Sequence, residues 1–255
     1  MKTILITGLD GSGKSTLFHS LGKNASPDQA FLKVPHFELE TLPPAFKYRH
    51  LCQRLNEMGT QADILQFPLL KIYALFGSMV LFSHIQQAFE KDEKKILFCE
   101  RHPLIDAPIY VLAYLPLMDP NRWDKSVYEQ IDASFSEELK VIFSLITNTE
   151  MGTSPSKSLL QFIHDLFQNG SKNQFRSVFS CELPTQLFFL DAPVTTLIQR
   201  LSNRELKEHH EEHSHIETMR NAYLNLLESI PQVTMIDASS FDQLDQLAID
   251  LSSLS

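Results

Sequence analysis

Residues 8–16 read Gly8-Leu9-Asp10-Gly11-Ser12-Gly13-Lys14-Ser15-Thr16, the G-x-x-x-x-G-K-[ST] spacing of a phosphate-binding loop. The glycines let successive backbone N–H groups turn inward on an anion, and a following helix N-terminus adds partial positive charge. Lys14 supplies a mobile cation for the outer phosphates, and Ser15 a hydroxyl for Mg²⁺. Gly8, Gly11, Ser12, Gly13, Lys14, Ser15 and Thr16 are therefore the expected triphosphate-binding set. A chance match in a glycine-rich turn is the alternative, and the flanks argue against it. Thr3-Ile4-Leu5-Ile6-Thr7 is a β-branched run too short for a buried helix, and Ser15-Thr16-Leu17-Phe18 opens a helical pattern.

A second constellation is Ile96-Leu97-Phe98-Cys99-Glu100-Arg101-His102-Pro103, an apolar strand that ends in an acid–base pair. Ligands of open α/β sheets sit at the carboxyl ends of strands, so Glu100 and Arg101 are expected beside the phosphate loop. Glu100 could hold Mg²⁺ through water or accept a proton from a hydroxyl, and Arg101 could grip phosphate oxygens bidentately. A simple surface ion pair is the alternative. A third strand ending, Leu187-Phe188-Phe189-Leu190-Asp191-Ala192-Pro193, precedes Arg200 and Arg204, which are four apart and share a helix face. The polar stretch after them suits a lid over roughly 204–215 that closes over phosphate, although a solvated helix end would carry the same arginines. His209, His210, His213 and His215 in that stretch lack the H-E-x-x-H spacing, and a pH-sensitive lid explains them better than a metal site.

The elements that must position these residues alternate in the βαβ manner of a mainly parallel sheet. Strands are expected at Thr3–Thr7, Phe31–Pro35, Lys95–Cys99, Gln186–Asp191 and Val233–Ile236. Helices are expected at 14–22, 45–58, 62–91, 194–204, 212–229 and 241–252, with Pro68 marking a break or a first turn. Residues 107–180 read as a helical insertion in a single domain spanning 1–255. It has helical stretches at 107–118, 125–146 and 157–168, a loop near 148–157 and a polar segment at Asn169–Ser177.

Composition bounds the function classes. The 255 residues are 43% hydrophobic with 18 Phe, ample for a core, and the net charge of -9 argues against a general nucleic-acid or acidic-membrane binder. Anionic ligands must be held by local charge. Three widely spaced cysteines point to a reducing cytoplasmic setting without a disulfide frame or zinc site. No signal peptide is expected at the N-terminus, and the apolar stretch from Phe67 to Ile85, interrupted by Lys71, reads as a buried helix rather than a membrane span.

The loop with Asp10 at its third position resembles that of thymidylate kinases. The resemblance extends through Leu183-Pro184 to Arg204, Glu212, Arg220-Asn221-Ala222-Tyr223-Leu224 and Ile236-Asp237-Ala238-Ser239, and covers most of the chain outside 107–180. It implies a P-loop kinase-type α/β fold, with a parallel sheet of about five strands flanked by helices. It also implies Mg²⁺-dependent transfer of the γ-phosphoryl group of ATP to a nucleoside monophosphate, with dTMP first. On this resemblance Lys14 bridges donor and acceptor phosphates, Ser15 meets Mg²⁺, Asp10 lies near the acceptor sugar hydroxyl, Arg101 clamps phosphoryl oxygens and Arg204 is a lid arginine. Many such kinases pair as homodimers, and residues 72–82 could serve for that, although they are more simply core.

The departures open other readings. Glu100 stands where the family usually has Asp, as in deoxynucleoside kinases, and Glu100-Arg101-His102-Pro103 is similar to the Asp-Arg-His-Pro of herpesvirus thymidine kinases. Phe37 and Val80 occupy positions where arginines would hold an acceptor phosphate, so that Arg49 or Arg54 would have to substitute. A deoxynucleoside (thymidine) kinase with Glu100 or Glu38 as base is the alternative enzyme. A nucleotide-binding regulatory protein, with 107–180 as its partner surface, is the non-enzymatic one.

Overall fold

The computed structural model describes residues 1–23, 25–202, 213–240 and 242–252. Five strands form one parallel sheet in the order β2-β3-β1-β4-β5: β1 (Lys2–Gly8), β2 (Gln29–Lys33), β3 (Ile96–Glu100), β4 (Gln186–Asp191) and β5 (Val233–Asp237). All five expected strands are present. The three central ones are buried on both faces and read as continuous apolar runs, as parallel strands do. β1 is central, and the chain steps to one side of it for β2 and β3 and to the other for β4 and β5. The carboxyl ends around β1 are therefore the switch point where such sheets bind ligands. Ile6 is in register with Glu100, so the end of β3 stands level with the start of the loop after β1.

The helices are α1 (Lys14–Lys23), α2 (Arg49–Leu65), α3 (Pro68–Lys91), α4 (Pro103–Tyr114), α5 (Lys125–Ile146), α6 (Pro155–Asn169), α7 (Lys172–Phe179), α8 (Val194–Leu201), α9 (His213–Leu227) and α10 (Asp242–Ser252). The break expected between 58 and 62 lies instead at 66–67, and Pro68 stands in the first turn of the next helix as the sequence suggested. α2 runs on to Leu65 and ends at Gln66 in the left-handed region (φ 49°), after which Pro68 opens α3. Asp63 and Lys71 form an ion pair across that corner at 2.8 Å. α3 is long and apolar enough to cross a membrane, but 83% of its apolar window is buried inside the fold. Residues 72–82 are core, Leu75 alone being half-buried, and are not an exposed face for a second copy. Gly77 explains how that core closes. A Cβ there would come within 2.7 Å of Ile142 on α5 and 2.9 Å of Leu55 on α2, so both helices approach α3 through the missing side chain.

Two boundaries between β3 and β4 differ from expectation. α4 starts at Pro103, not 107, because His102 caps it: its Nδ1 accepts from the Leu104 N–H at 3.3 Å. The polar segment 169–177 opens α7, whose N-cap Ser171 forms a reciprocal capping box with Gln174. Val178 and Phe179 then bury its apolar face; for Phe179, fully buried, that contributes about 2–3 kcal/mol. α5 and α7 pack on α3 and so join the main core.

Candidate active site

The loop between β1 and α1 has the backbone the motif requires. Gly8, Gly11 and Gly13 have φ of 150°, 83° and 95°, and a Cβ on Gly8 would strike the Leu190 carbonyl oxygen of β4. α1 begins as the Leu17 N–H donates to the Gly13 carbonyl at 3.0 Å. Its N-terminal groups open into a cavity of about 230 Å³ lined by Asp10, Gly11, Gly13, Lys14, Ser15, Thr16, Glu100 and Arg200. Ser12 is buried beneath, and its hydroxyl has no hydrogen-bond partner among the described residues. The Ser15 hydroxyl and the Glu100 carboxylate face one cavity, and hard oxygen donors of this kind fit Mg²⁺.

Lys14 is buried and folds back over the loop, its Nζ donating to the Gly8 and Leu9 carbonyls at 2.9 Å each and to Asp10 Oδ1 at 3.2 Å. Asp10 is shared. Arg101 Nη2 reaches the same Oδ1 at 2.7 Å, and the Tyr110 hydroxyl donates to it at 3.3 Å. Arg101 also lies over the Tyr110 ring at 4.6 Å. Burial works against its charge, but Tyr110, Asp10 and Glu100 outweigh that and hold its pKa above the ordinary arginine range. The sequence-derived set Lys14, Asp10, Glu100 and Arg101 thus comes together at one end of the sheet. Arg200 joins it by donating to the Gly11 and Ser239 carbonyls at 3.0 Å each. Arg220 grips Asp191 with two bonds of 2.8 and 2.6 Å, tying α9 to the end of β4. Arg204 and most of the 204–215 lid, with His209 and His210, lie outside the described residues.

The residues named as substitutes for the missing arginines are committed elsewhere. Arg49 donates to the carbonyls of Leu39, Leu42 and Pro43, fastening the turn before α2. Arg54 bridges α2 to α5 through Glu138 (2.6 Å) and the Ser134 carbonyl (2.8 Å). Phe37 and Val80 are buried in the core. Glu38 pairs with Lys33.

Sequence reasoning missed what holds Arg101. Its φ is +70°, a left-handed conformation that non-glycine residues seldom adopt. Asp106, four residues into the next segment, clamps the following peptide: its Oδ2 accepts from the His102 N–H at 2.6 Å. Its Oδ1 takes the hydroxyls of Thr7 from β1 and of Tyr223 from α9, the latter at 2.6 Å. Burial raises the Asp106 pKa against the pull of those donors. Asp106 and Tyr110 are one turn apart on α4, a spacing legible in the sequence but not interpretable without Arg101 between β3 and α4.

His102 itself is buried, with its ring edge against Phe82 at 4.8 Å, and burial pushes its pKa down to about 3. An unfolded chain takes up that proton near pH 6.5. The stability His102 contributes at neutral pH is therefore lost as pH falls from about 6.5 toward 3, at about 1.4 kcal/mol per pH unit. Asp106, with its raised folded value, slopes the other way. His102→Asn keeps a capping acceptor and removes the titration, so urea unfolding at pH 7 and pH 5 should show a clearly shallower loss in the variant. An unchanged slope would mean that His102 is not the group responsible.

No family model matches the chain, and no curated protein does either. Solved structures do match. A thymidylate kinase from Candida albicans, whose structure is described as revealing the origin of broad substrate specificity, aligns with a TM-score of 0.50 and 17% identity, covering 98% of this chain and 90% of that one. Deoxyadenosine kinase from M. mycoides with bound dATP aligns with a TM-score of 0.51 and 15% identity, covering 99% of this chain and all of the other. At such identities the likeness is one of architecture, and the chain has the fold of the P-loop nucleoside and nucleotide kinases.

Proposed function

We propose that this protein transfers the γ-phosphoryl group of ATP to a nucleoside or nucleoside monophosphate, with dTMP the first acceptor to test. The observation that carries the reading is Asp10: one carboxylate oxygen receives both Lys14 of the phosphate loop and Arg101. Arg101 also lines a separate apolar cavity, so the donor loop and a second ligand space meet at this ion cluster. The two solved structures named above are a thymidylate kinase and a deoxyadenosine kinase, which supports the class.

Phosphoryl transfer asks mostly for positioning and charge neutralisation. The loop N–H groups and Lys14 hold the β- and γ-phosphates in line, and Arg101 neutralises the equatorial oxygens as the bond to the leaving ADP breaks and that to the acceptor oxygen forms. Glu100, buried beside the loop, is placed to take the proton of a hydroxyl acceptor. When bound, Mg²⁺ would be held by Ser15, joined by Glu100 where the acceptor has no hydroxyl proton to give up, and would offset phosphate charge. A nucleoside acceptor is the second reading, favoured by the engagement of Arg49 and Arg54 away from the site. An ADP-release assay across nucleosides and their monophosphates, with Lys14→Ala as blank, decides between them. The largest signal is expected with dTMP; turnover of unphosphorylated nucleosides alone would replace it with the second reading. ATP binding without ADP release for any acceptor would leave a regulatory protein.

A further inference from the structure

Arg101 is held at both ends of its backbone as well as by its side chain. On the β3 side the Glu100 carbonyl accepts from the Val34 N–H at 3.2 Å, so the sheet fixes the peptide before Arg101. On the other side Asp106 holds His102 twice. Its Oδ2 takes the His102 N–H at 2.6 Å, and its own N–H donates to the His102 carbonyl at 2.8 Å. Between these two anchors Arg101 keeps φ +70°, which an L residue leaves for the ordinary region unless its surroundings forbid it.

The carboxylate that does this is itself oriented. Asp106 is fully buried, and its Oδ1 receives the hydroxyls of Thr7 and Tyr223, which are equally buried. The Tyr223 hydroxyl thus reaches the Arg101 backbone through one carboxylate and one N–H. We propose that Asp106 and Tyr223 are positioning residues for phosphoryl transfer, touching neither nucleotide and setting turnover through the backbone of Arg101. This rests on the phosphotransfer reading above. Two consequences separate it from a role in stability alone. Loss of the Tyr223 hydroxyl depresses kcat and spares the KM for ATP, because the phosphate loop keeps its own bonds. The loss also disappears once Arg101 is gone, because groups that act through one residue are not additive.

Tyr223→Phe removes the hydroxyl and keeps the ring against Phe189, 5.2 Å between centroids. Asp106→Asn keeps the shape of the side chain but turns one of its two acceptors into a donor. Tyr73→Phe is the control: it deletes an equally buried hydroxyl whose bond, 2.7 Å to the Ser156 carbonyl, runs from α3 to α6. Each is made alone and on Arg101→Ala, ADP release is measured with ATP and acceptor varied, and thermal melts report folding. Tyr223→Phe and Asp106→Asn are each expected to lower kcat about tenfold or more, with the KM for ATP moving less than about twofold. On Arg101→Ala the same changes should alter kcat by less than about twofold. Tyr73→Phe should lower the melting temperature and leave kcat within about twofold. Should Asp106→Asn fail to fold, Tyr223→Phe carries the test alone. Arg101 is also followed without turnover. In protein labelled with ¹⁵N-arginine, its buried Nε–H signal, assigned by its loss in Arg101→Ala, should shift or broaden in Tyr223→Phe and stay in place in Tyr73→Phe. Unchanged kcat in folded Tyr223→Phe, a loss that persists in full on Arg101→Ala, or an Arg101 signal indifferent to Tyr223→Phe overturns the proposal. A signal that moves while no acceptor is phosphorylated supports the coupling of Tyr223 to Arg101 and sinks only the phosphotransfer reading.

Discussion

Arg101→Ala is expected to lower kcat about a thousandfold while the KM for ATP moves less than about threefold. The asymmetry follows from where the side chain sits. Arg101 is bonded to Asp10, Tyr110 and the Val34 carbonyl and lines the apolar cavity, not the space inside the phosphate loop. On the proposed transfer its charge would meet the transferred group only as that group leaves the donor, so the expected loss falls on the transition state and not on ATP binding. Arg101→Lys should recover little, because an ammonium cannot place two parallel N–H bonds on phosphoryl oxygens while keeping Asp10. Steady-state kinetics with ATP and acceptor each varied test this. A large rise in the ATP KM with turnover preserved would move Arg101 to the donor site.

Lys14→Ala is expected to remove turnover by about a thousandfold or more and to weaken ATP binding as well. Lys14 is surrounded by the Gly8 and Leu9 carbonyls and Asp10, all oxygens, at 2.9–3.2 Å. Triphosphate oxygens are stronger charge-assisted partners than neutral carbonyls, so the ammonium can exchange one set for the other without leaving the loop. Titration with a fluorescent ATP analogue, alongside ADP release, reads both effects. Unchanged affinity together with unchanged turnover would remove Lys14 from the mechanism.

The strands and the phosphate loop were legible because their signals are local. β-branched runs, glycine spacing and a strand ending in Glu100-Arg101 each fit within ten residues. Helix ends were less so. The corner at Gln66–Phe67 depends on Asp63 and Lys71 meeting across it, and α7 on a capping box set in a polar stretch. Least legible was the support around Arg101. Thr7, Asp106 and Tyr223 come from β1, α4 and α9, more than two hundred residues apart at the extremes, and only the fold brings them to one point. The same holds for Arg49 and Arg54: a basic side chain in a helix looks available until the carbonyls and carboxylates that claim it are in place.

That shared carboxylate makes Asp106 a mechanical pin. It is fastened at once to the sheet strand that feeds the phosphate loop, to the peptide just after Arg101, and to α9, which Arg220 fixes to the end of β4. A tilt of α9 would be transmitted through the Tyr223 hydroxyl to the backbone that aims Arg101, with every side-chain partner of Arg101 left intact. The aim of the guanidinium is thus set from behind, by an element on the far side of the central strand, so the phosphate loop and Arg101 cannot drift independently.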